Sequence, residues 1–167
     1  MAPAHPAVPT SLCPRSACRA DAAALEALSR PFVRSGALRP RPGAVYAAHA
    51  ADFLVAESPG PDGGIDGCLA LAVHPPDPAR GRGPAGVLYN FCVAPHRQGR
   101  GLGALLLEAA LDRAAEAPLG TLFTATTGSG ALFLRYGFTP VSPGSAPAAW
   151  ARAIDPRRGA RVLGRTV

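Results

Sequence analysis

Residues 87–117 read VLYNFCVAPHRQGRGLGALLLEAALDRAAEA, and this stretch restricts the architecture more than any other. Val87 to Val93 is an apolar run rich in aromatic and β-branched residues, which is strand chemistry. Pro95 has no N–H to give to a ladder, so the run ends there. Gln98-Gly99-Arg100-Gly101-Leu102-Gly103 then leads straight into an apolar, alanine- and leucine-rich segment. Leu102, Leu105, Leu106 and Ala109 recur at helical spacing and predict one apolar stripe. Pro118-Leu119-Gly120 predicts the helix end.

A strand, a glycine-rich turn and a helix in that order make an anion site. The first turn of a helix leaves backbone N–H groups unpaired, and the dipole makes that end positive. Gly99, Gly101 and Gly103 lack a Cβ, so an anion can approach those N–H groups closely. Arg97 and Arg100 add positive charge. A P-loop needs lysine, and this chain has none. A dinucleotide fingerprint needs G-x-G-x-x-G, and Gly99-x-Gly101-x-Gly103 has a different spacing.

Gln98-x-x-Gly101-x-Gly103 after a strand ending in Val-Ala-Pro resembles motif A of the GCN5-related N-acetyltransferases, the GNAT family. A second stretch, SGALFLRYGF at 129–138, is similar to the later part of the same family, a short helix ending at Gly137 and a strand from Phe138. The strand Thr121 to Ala125 lies between the two, as that family requires. The resemblance implies an α/β GNAT fold, a mixed, mostly antiparallel sheet splayed at its central strands with helices on both faces. It also implies an acetyl-CoA-dependent N-acetyltransferase, with acetyl-CoA as co-substrate and a small-molecule amine as acceptor. Transfer would run by direct attack in a ternary complex rather than through a Cys92 acyl intermediate. Arg97, Gln98, Gly99, Arg100, Gly101, Leu102 and Gly103 would hold the pyrophosphate, and Cys92 and Val93 the pantetheine arm. Phe133 falls where many members carry the tyrosine that protonates the departing thiolate, and would line the cofactor side. Tyr136, one turn on, would substitute for that tyrosine. Many members carry a glutamate base where this chain has Val87.

Side chains alternate along a strand, so Val87, Tyr89 and Phe91 are expected on one face. Tyr89 is then placed either to relay a proton or orient the acceptor, or to pack as core. Asp52 and Glu57 are the nearby carboxylates that could act through water. Arg39, Arg41 and Tyr46, in and beside a basic connection between two helices, are candidates for holding an acceptor carboxylate, with solvated loop arginines as the alternative. Trp150 either covers the acceptor or belongs to the core. A weaker resemblance of the tail and of SRPFVRSGALR to small amino-acid N-acetyltransferases of the N-acetylglutamate-synthase type points to an amino-acid acceptor. A non-catalytic acyl-CoA-binding or regulatory module on the same fold is the alternative function.

Composition bounds the rest. The chain has 167 residues, 48% of them hydrophobic and 17% charged, which suits one folded domain over 13–167 behind a proline-rich arm at 1–12. All 17 basic residues are arginine and the net charge is +6, which suits an anionic ligand. The arginines are scattered without interleaved aromatics, which argues against nucleic acid. Cys13, Cys18, Cys68 and Cys92 have no C-x-x-C spacing and no histidine cluster, so no metal is expected. No run approaches the about 20 apolar residues of a membrane span. With no signal-peptide pattern, the expected location is cytoplasmic. A homodimer remains an open partner expectation beside the amine.

From the N-terminal side, a strand at Ser16–Arg19, a helix over Ala22–Ser29 stopped by Pro31 and a helix over Ala44–Ala51 are expected. A hairpin of Asp52–Glu57 with Ile65–His74 follows, and Gly159–Val167 closes the sheet.

Overall fold

The computed structural model describes residues 13–167, so the expected arm at 1–12 lies outside the described residues. Its strands are β1 (Arg15–Ser16), β2 (Phe53–Glu57), β3 (Ile65–His74), β4 (Ala85–Val93), β5 (Thr121–Thr126), β6 (Thr139–Pro140) and β7 (Arg161–Thr166). Its helices are α1 (Ala22–Arg34), α2 (Gly43–Ala48), α3 (Leu102–Ala115), α4 (Ala131–Arg135) and α5 (Ala148–Arg152). The strands form one sheet in the order β1-β2-β3-β4-β5-β7-β6. Only β4 and β5 run parallel, joined by the α3 crossover; the other neighbours are antiparallel.

Helix α3 covers one face. Leu106, Leu107, Ala110 and Ala114 are fully buried there, against Leu54, Leu69, Leu88 and Leu122 of the sheet. The apolar stripe therefore runs 102-106-110-114 with 107 beside it. Leu105, expected on it, is instead 41% exposed. Gly67 lets α3 approach β3, since a Cβ there would lie 2.8 Å from Leu106 Cδ1. Leu106 sits at the middle of this contact. Leu106→Ala is expected to cost about 3 kcal/mol by leaving a cavity, lowering the melting temperature by about 10 °C with the coenzyme seat intact; thermal unfolding reads this directly.

Helices α1 and α2 cover the other face, where Leu25 and Tyr46 bury against Phe53, Val55, Cys68 and Ala70. Helix α1 does not stop at Pro31; it runs to Arg34. A proline inside a helix loses one N–H bond, yet the Pro31 carbonyl still accepts from the Ser35 N–H. Phe32, one residue on, packs on the same core and keeps the last turn seated. Strand β1 is shorter than expected, because a 3-10 turn at Arg19–Asp21 takes over after Ser16. Asp21 stands at the N-cap of α1, but its carboxylate turns back to the Cys18 N–H and the Arg15 guanidinium. That pairing lowers the Asp21 pKa to about 2 and ties β1 to the start of α1. Helix α2 ends at Ala48, three residues short of the expectation, and a 3-10 turn at Ala50–Asp52 leads into β2.

The main departure from simple alternation lies in β4. The β3–β4 register shifts between Cys68 and Ala70, and Asn90 has φ +52°. This is a β-bulge, with two residues of β4 opposite one of β3. Tyr89 and Cys92 pack towards α1, whereas Phe91 packs on the α3 side. Val87, Tyr89 and Phe91 therefore do not share one face. The extra residue at Asn90 reverses the alternation for everything after it.

Candidate functional site

The bulge opens the sheet. β4 and β5 pair only from Ala85–Thr121 to Leu88–Thr124. Thr124 Oγ1 donates to the Leu88 carbonyl at 3.1 Å, at the last pair before the strands part. A bulge bends and overtwists its strand, so β4 leaves β5 after Leu88. From Tyr89 onward, its edge towards β5 has no strand partner among the described residues. Such an edge offers backbone N–H and C=O groups to an extended ligand.

Asn90 holds the bulge. Asparagine is among the few residues that tolerate positive φ, and its side chain is tied on every side. Its Nδ2 donates to Ser29 Oγ at 2.9 Å, and its Oδ1 accepts from Arg41 Nη1 at 3.0 Å. Tyr46 Oη lies at 3.5 Å from the same Oδ1. Sequence reasoning passed over Asn90, although one asparagine in the apolar run VLYNFCV was a visible signal.

On the α3 side of the opening lies a cavity of about 310 Å³. Cys92, Val93, Arg97, Gln98, Gly99, Gly101, Leu102 and Gly103 line it, as the motif implied. Gly99 and Gly101 have φ +74° and +84°, which side-chain-bearing residues adopt only under strain. Gly101 is the N-cap of the 14-residue α3, whose first-turn N–H groups face the loop. A Cβ on Gly103 would meet Phe91 Cζ at 3.4 Å, so that glycine forms the cavity wall. Gln98 Nε2 donates to the Val93 carbonyl at 2.9 Å and staples the loop to the strand end. This cradle suits a pyrophosphate.

Some cradle residues have a different part from the one expected. Arg97 Nε faces Asp66 Oδ2 at 3.4 Å, and Asp66 is buried and also accepts from Ser58. Arg97 thus ties the loop to β3. Arg100 is exposed and lies outside the cavity lining. Phe133 stacks edge-on between Phe91 and Phe138 beneath the wall, and Leu132 takes the lining position instead. Phe32 of α1 also lines it, unforeseen from sequence because α1 was expected to have ended. Tyr136 lines neither this cavity nor the one opposite; its hydroxyl donates to Glu108 of α3 at 2.5 Å.

On the α1–α2 side lies a second cavity, of about 300 Å³. Its lining includes Asn90 and Leu88, so it meets the opening from the other face. Of the residues expected at the acceptor site, Arg39, Arg41 and Tyr89 line this cavity; Tyr46 does not, being buried beneath against Phe53. Arg158, His49, Asp52 and Trp150 complete its polar and aromatic wall. Arg41 lies 5.1 Å over the Tyr89 ring, and burial lowers its pKa. Arg158 Nη2 donates to the Gly36 and Ala37 carbonyls at 3.1 and 2.9 Å, fastening the tail to the α1–α2 connection. None of Arg39, Arg41 and Arg158 has a carboxylate partner among the described residues. Three cations around one cavity, none of them paired with a carboxylate there, make a receptor for a carboxylate. Cys68 and Cys92 are buried between the cavities with sulfurs 3.7 Å apart as free thiols. Each sulfur crowds the other, and burial together with that contact raises the Cys68 pKa well above its ordinary value.

An anion cradle on one face of a split sheet, with a cationic cavity on the other, is the layout of an acyl-thioester transferase domain. Comparison with known proteins agrees. The model of the acetyltransferase (GNAT) domain matches residues 49–140, more than half of the chain, and the chain belongs to the GNAT family. The amino-acid acetyltransferase of Ralstonia nicotianae is 33% identical over 149 residues, which are 89% of this chain and 31% of that protein. N-acetylglutamate synthase from Neisseria gonorrhoeae, solved with coenzyme A and N-acetyl-glutamate, superposes with a TM-score of 0.78 at 27% identity, over 92% of this chain and 34% of that one. A Mycobacterium tuberculosis protein solved with CoA shares the fold at 21% identity and TM-score 0.75, over 92% of this chain and 98% of that one. The chain spans about a third of the length of the first two relatives. Among the described residues no helix is long and apolar enough to cross a membrane.

Proposed function

We propose that this domain transfers acetyl from acetyl-CoA to the amine of a small amino acid. The observation that carries this is the set of three guanidiniums, Arg39, Arg41 and Arg158, around the cavity that opens onto the β4 bulge. A volume of about 300 Å³ suits a small ligand. The cradle from Gln98 to Gly103 would hold the pyrophosphate on the opposite face, and the free edge of β4 the pantetheine arm. Acetyl-CoA supplies the activated thioester. Backbone N–H groups released by the bulge at Asn90 are placed to stabilise the oxygen as it gains charge. Arg41 and Arg39 orient the acceptor by its carboxylate, so that its amine points into the opening. A second carboxylate on the acceptor fits Arg158. Acetyl-CoA is a cytoplasmic metabolite and paired free thiols suit a reducing compartment, which supports a cytoplasmic location.

The relatives support the acceptor class. One is an amino-acid acetyltransferase, and one was solved with N-acetyl-glutamate. The test is release of the CoA thiol with a panel of mono- and dicarboxylic amino acids, each paired with its amide and its decarboxylated amine. The carboxylated acceptors should exceed their neutral counterparts by at least about 30-fold in kcat/KM, from one charge-assisted pair of about 2 kcal/mol. Equal turnover of polyamines, aminoglycosides or arylamines would overturn the acceptor assignment.

A further inference from the structure

The cavity that holds the arginines also holds a row of proton-carrying groups with no part yet assigned. Tyr89 Oη donates to Asp52 Oδ2 at 2.7 Å. His49 Nδ1 lies 3.8 Å from the same oxygen. All three residues line the cavity, and they come from three separate places: β4, the turn ahead of β2, and the end of α2. Burial, reinforced by the bond to Asp52, raises the Tyr89 pKa, so Tyr89 stays a phenol and cannot be a base on its own. Val87, the nearer strand position on the same side, is buried and apolar. A row that starts at the acceptor and ends at an imidazole whose side chain is 58% exposed is a way out for a proton.

We propose that Tyr89, Asp52 and His49 carry the acceptor's surplus proton from the site to solvent. This rests on the reading of the cavity as the acceptor site. An ammonium acceptor must lose two protons to become an amide N–H. The N–C bond forms and the C–S bond breaks; one proton goes to the departing sulfur and the other must leave. Tyr89 Oη takes that proton on a lone pair while passing its own to Asp52 Oδ2. Asp52 passes it across the 3.8 Å gap to His49 through one bridging water, and histidine is the side chain that exchanges protons with water near neutral pH. Positive groups face this row from every side. Arg41 stands over the Tyr89 ring, Arg113 of α3 donates to the Asp52 carbonyl at 3.2 Å, and Arg39 and Arg158 share the cavity with His74, whose pKa burial lowers. The bond from Tyr89 makes Asp52 Oδ2 the acceptor of the first link.

The test uses whichever amine the wild-type protein turns over. Asp52→Asn and Tyr89→Phe should each lower kcat by about 100-fold, the usual share of positioned acid–base groups, with the CoA-induced thermal shift unchanged. The double variant should be no slower than the slower single one, because the two act in series. Asp52→Glu should recover part of the rate. His49→Gln should lower kcat about fivefold, and added imidazole buffer should restore part of that loss. Multiplying losses in the double variant, losses confined to KM, or a wild-type kcat in His49→Gln would overturn the relay. A readout without any acceptor checks the first link. Ultraviolet titration of phenolate, taken as wild type minus Tyr89→Phe, should move to lower pH in Asp52→Asn; an unmoved titration overturns it. If only amines without a carboxylate react, the acceptor reading fails and the relay is judged on those amines. If carboxylated amines react and the variants keep wild-type rates, the relay fails alone.

Discussion

Replacing Gly103 by aspartate leaves a folded protein that no longer responds to coenzyme A. The position is in the first turn of α3, where a carboxylate meets the positive end of the helix and stabilises it by about 0.3–1 kcal/mol. Its Cβ would touch Phe91 Cζ at 3.4 Å and Leu132 Cδ2 at 3.5 Å, tight but tolerable contacts. The fold therefore survives. The same carboxylate stands where the pyrophosphate would sit. Two like charges about 4 Å apart repel by about 4 kcal/mol at a surface-like dielectric, so affinity should fall about 1000-fold. The measurement is the shift in melting temperature with CoA, compared with Gly103→Ala, which adds bulk without charge and should keep binding within about tenfold. An aspartate variant shifted by CoA as much as the parent would remove the cradle from the cofactor site. Gly101→Glu should also lose binding, but with a lower melting temperature, because φ +84° costs an L-residue about 1–2 kcal/mol.

The cradle was legible because its determinants are local. A strand run, a proline and closely spaced glycines ahead of a helix fix the loop without help from distant residues. The hairpin partner Ile65–His74 was legible to the residue for the same reason, with turn residues at both ends. What failed depended on contacts far apart in sequence. Pro31 marked a helix end by local rules, yet Phe32 packs against the core and carries the helix past it. The stripe on α3 was read correctly at Leu102 and Leu106 but took Leu105 where the structure buries Leu107, because 3.6-residue periodicity allows either neighbour when Leu105, Leu106 and Leu107 are all apolar. Only the sheet decides between them. The bulge at Asn90 had the widest consequence. Strict alternation put Tyr89 and Phe91 together, and a single inserted residue sent Phe91 to the α3 side and left Tyr89 on the α1 side. Tyr136 looked suitable by its spacing from Phe133, but its hydroxyl is engaged by Glu108, which lies 28 residues away in the chain.

The bulge also links the two cavities. Asn90 is shared by the backbone that would face the thioester and by the arginine that would hold the acceptor. Arg41 donates to its Oδ1, and Ser29 accepts from its Nδ2. An acceptor bound by Arg41 is thus one hydrogen bond from the segment that would stabilise the developing charge. That arrangement makes acceptor orientation and thioester activation parts of one polar network, and such networks are not additive.

Arg41→Ala should therefore affect turnover more than the loss of one ion pair alone. Arg41 has five N–H donors, and those it does not spend on Asn90 and the Arg39 carbonyl remain for a ligand. Losing a charge-assisted pair in a half-buried cavity costs about 1.5–3 kcal/mol, which predicts a KM for the carboxylated acceptor raised by about 10- to 150-fold. The Asn90 oxygen is left with only the distant Tyr46 hydroxyl, so kcat should drop as well, by up to about tenfold. Arg41→Lys should restore charge but neither the fork nor the stacking on Tyr89, and should recover less than half of the lost free energy. The decisive comparison crosses the variant with the substrate. With the amide analogue, which carries no carboxylate, Arg41→Ala should raise KM by no more than about threefold, so that a coupling of about 2 kcal/mol between guanidinium and carboxylate appears in the cycle. If the variant weakened the amino acid and its amide equally, Arg41 would be holding Asn90 alone and the carboxylate would bind elsewhere. Because the CoA thermal shift reads the opposite face of the sheet, it should stay at the parent value in either case.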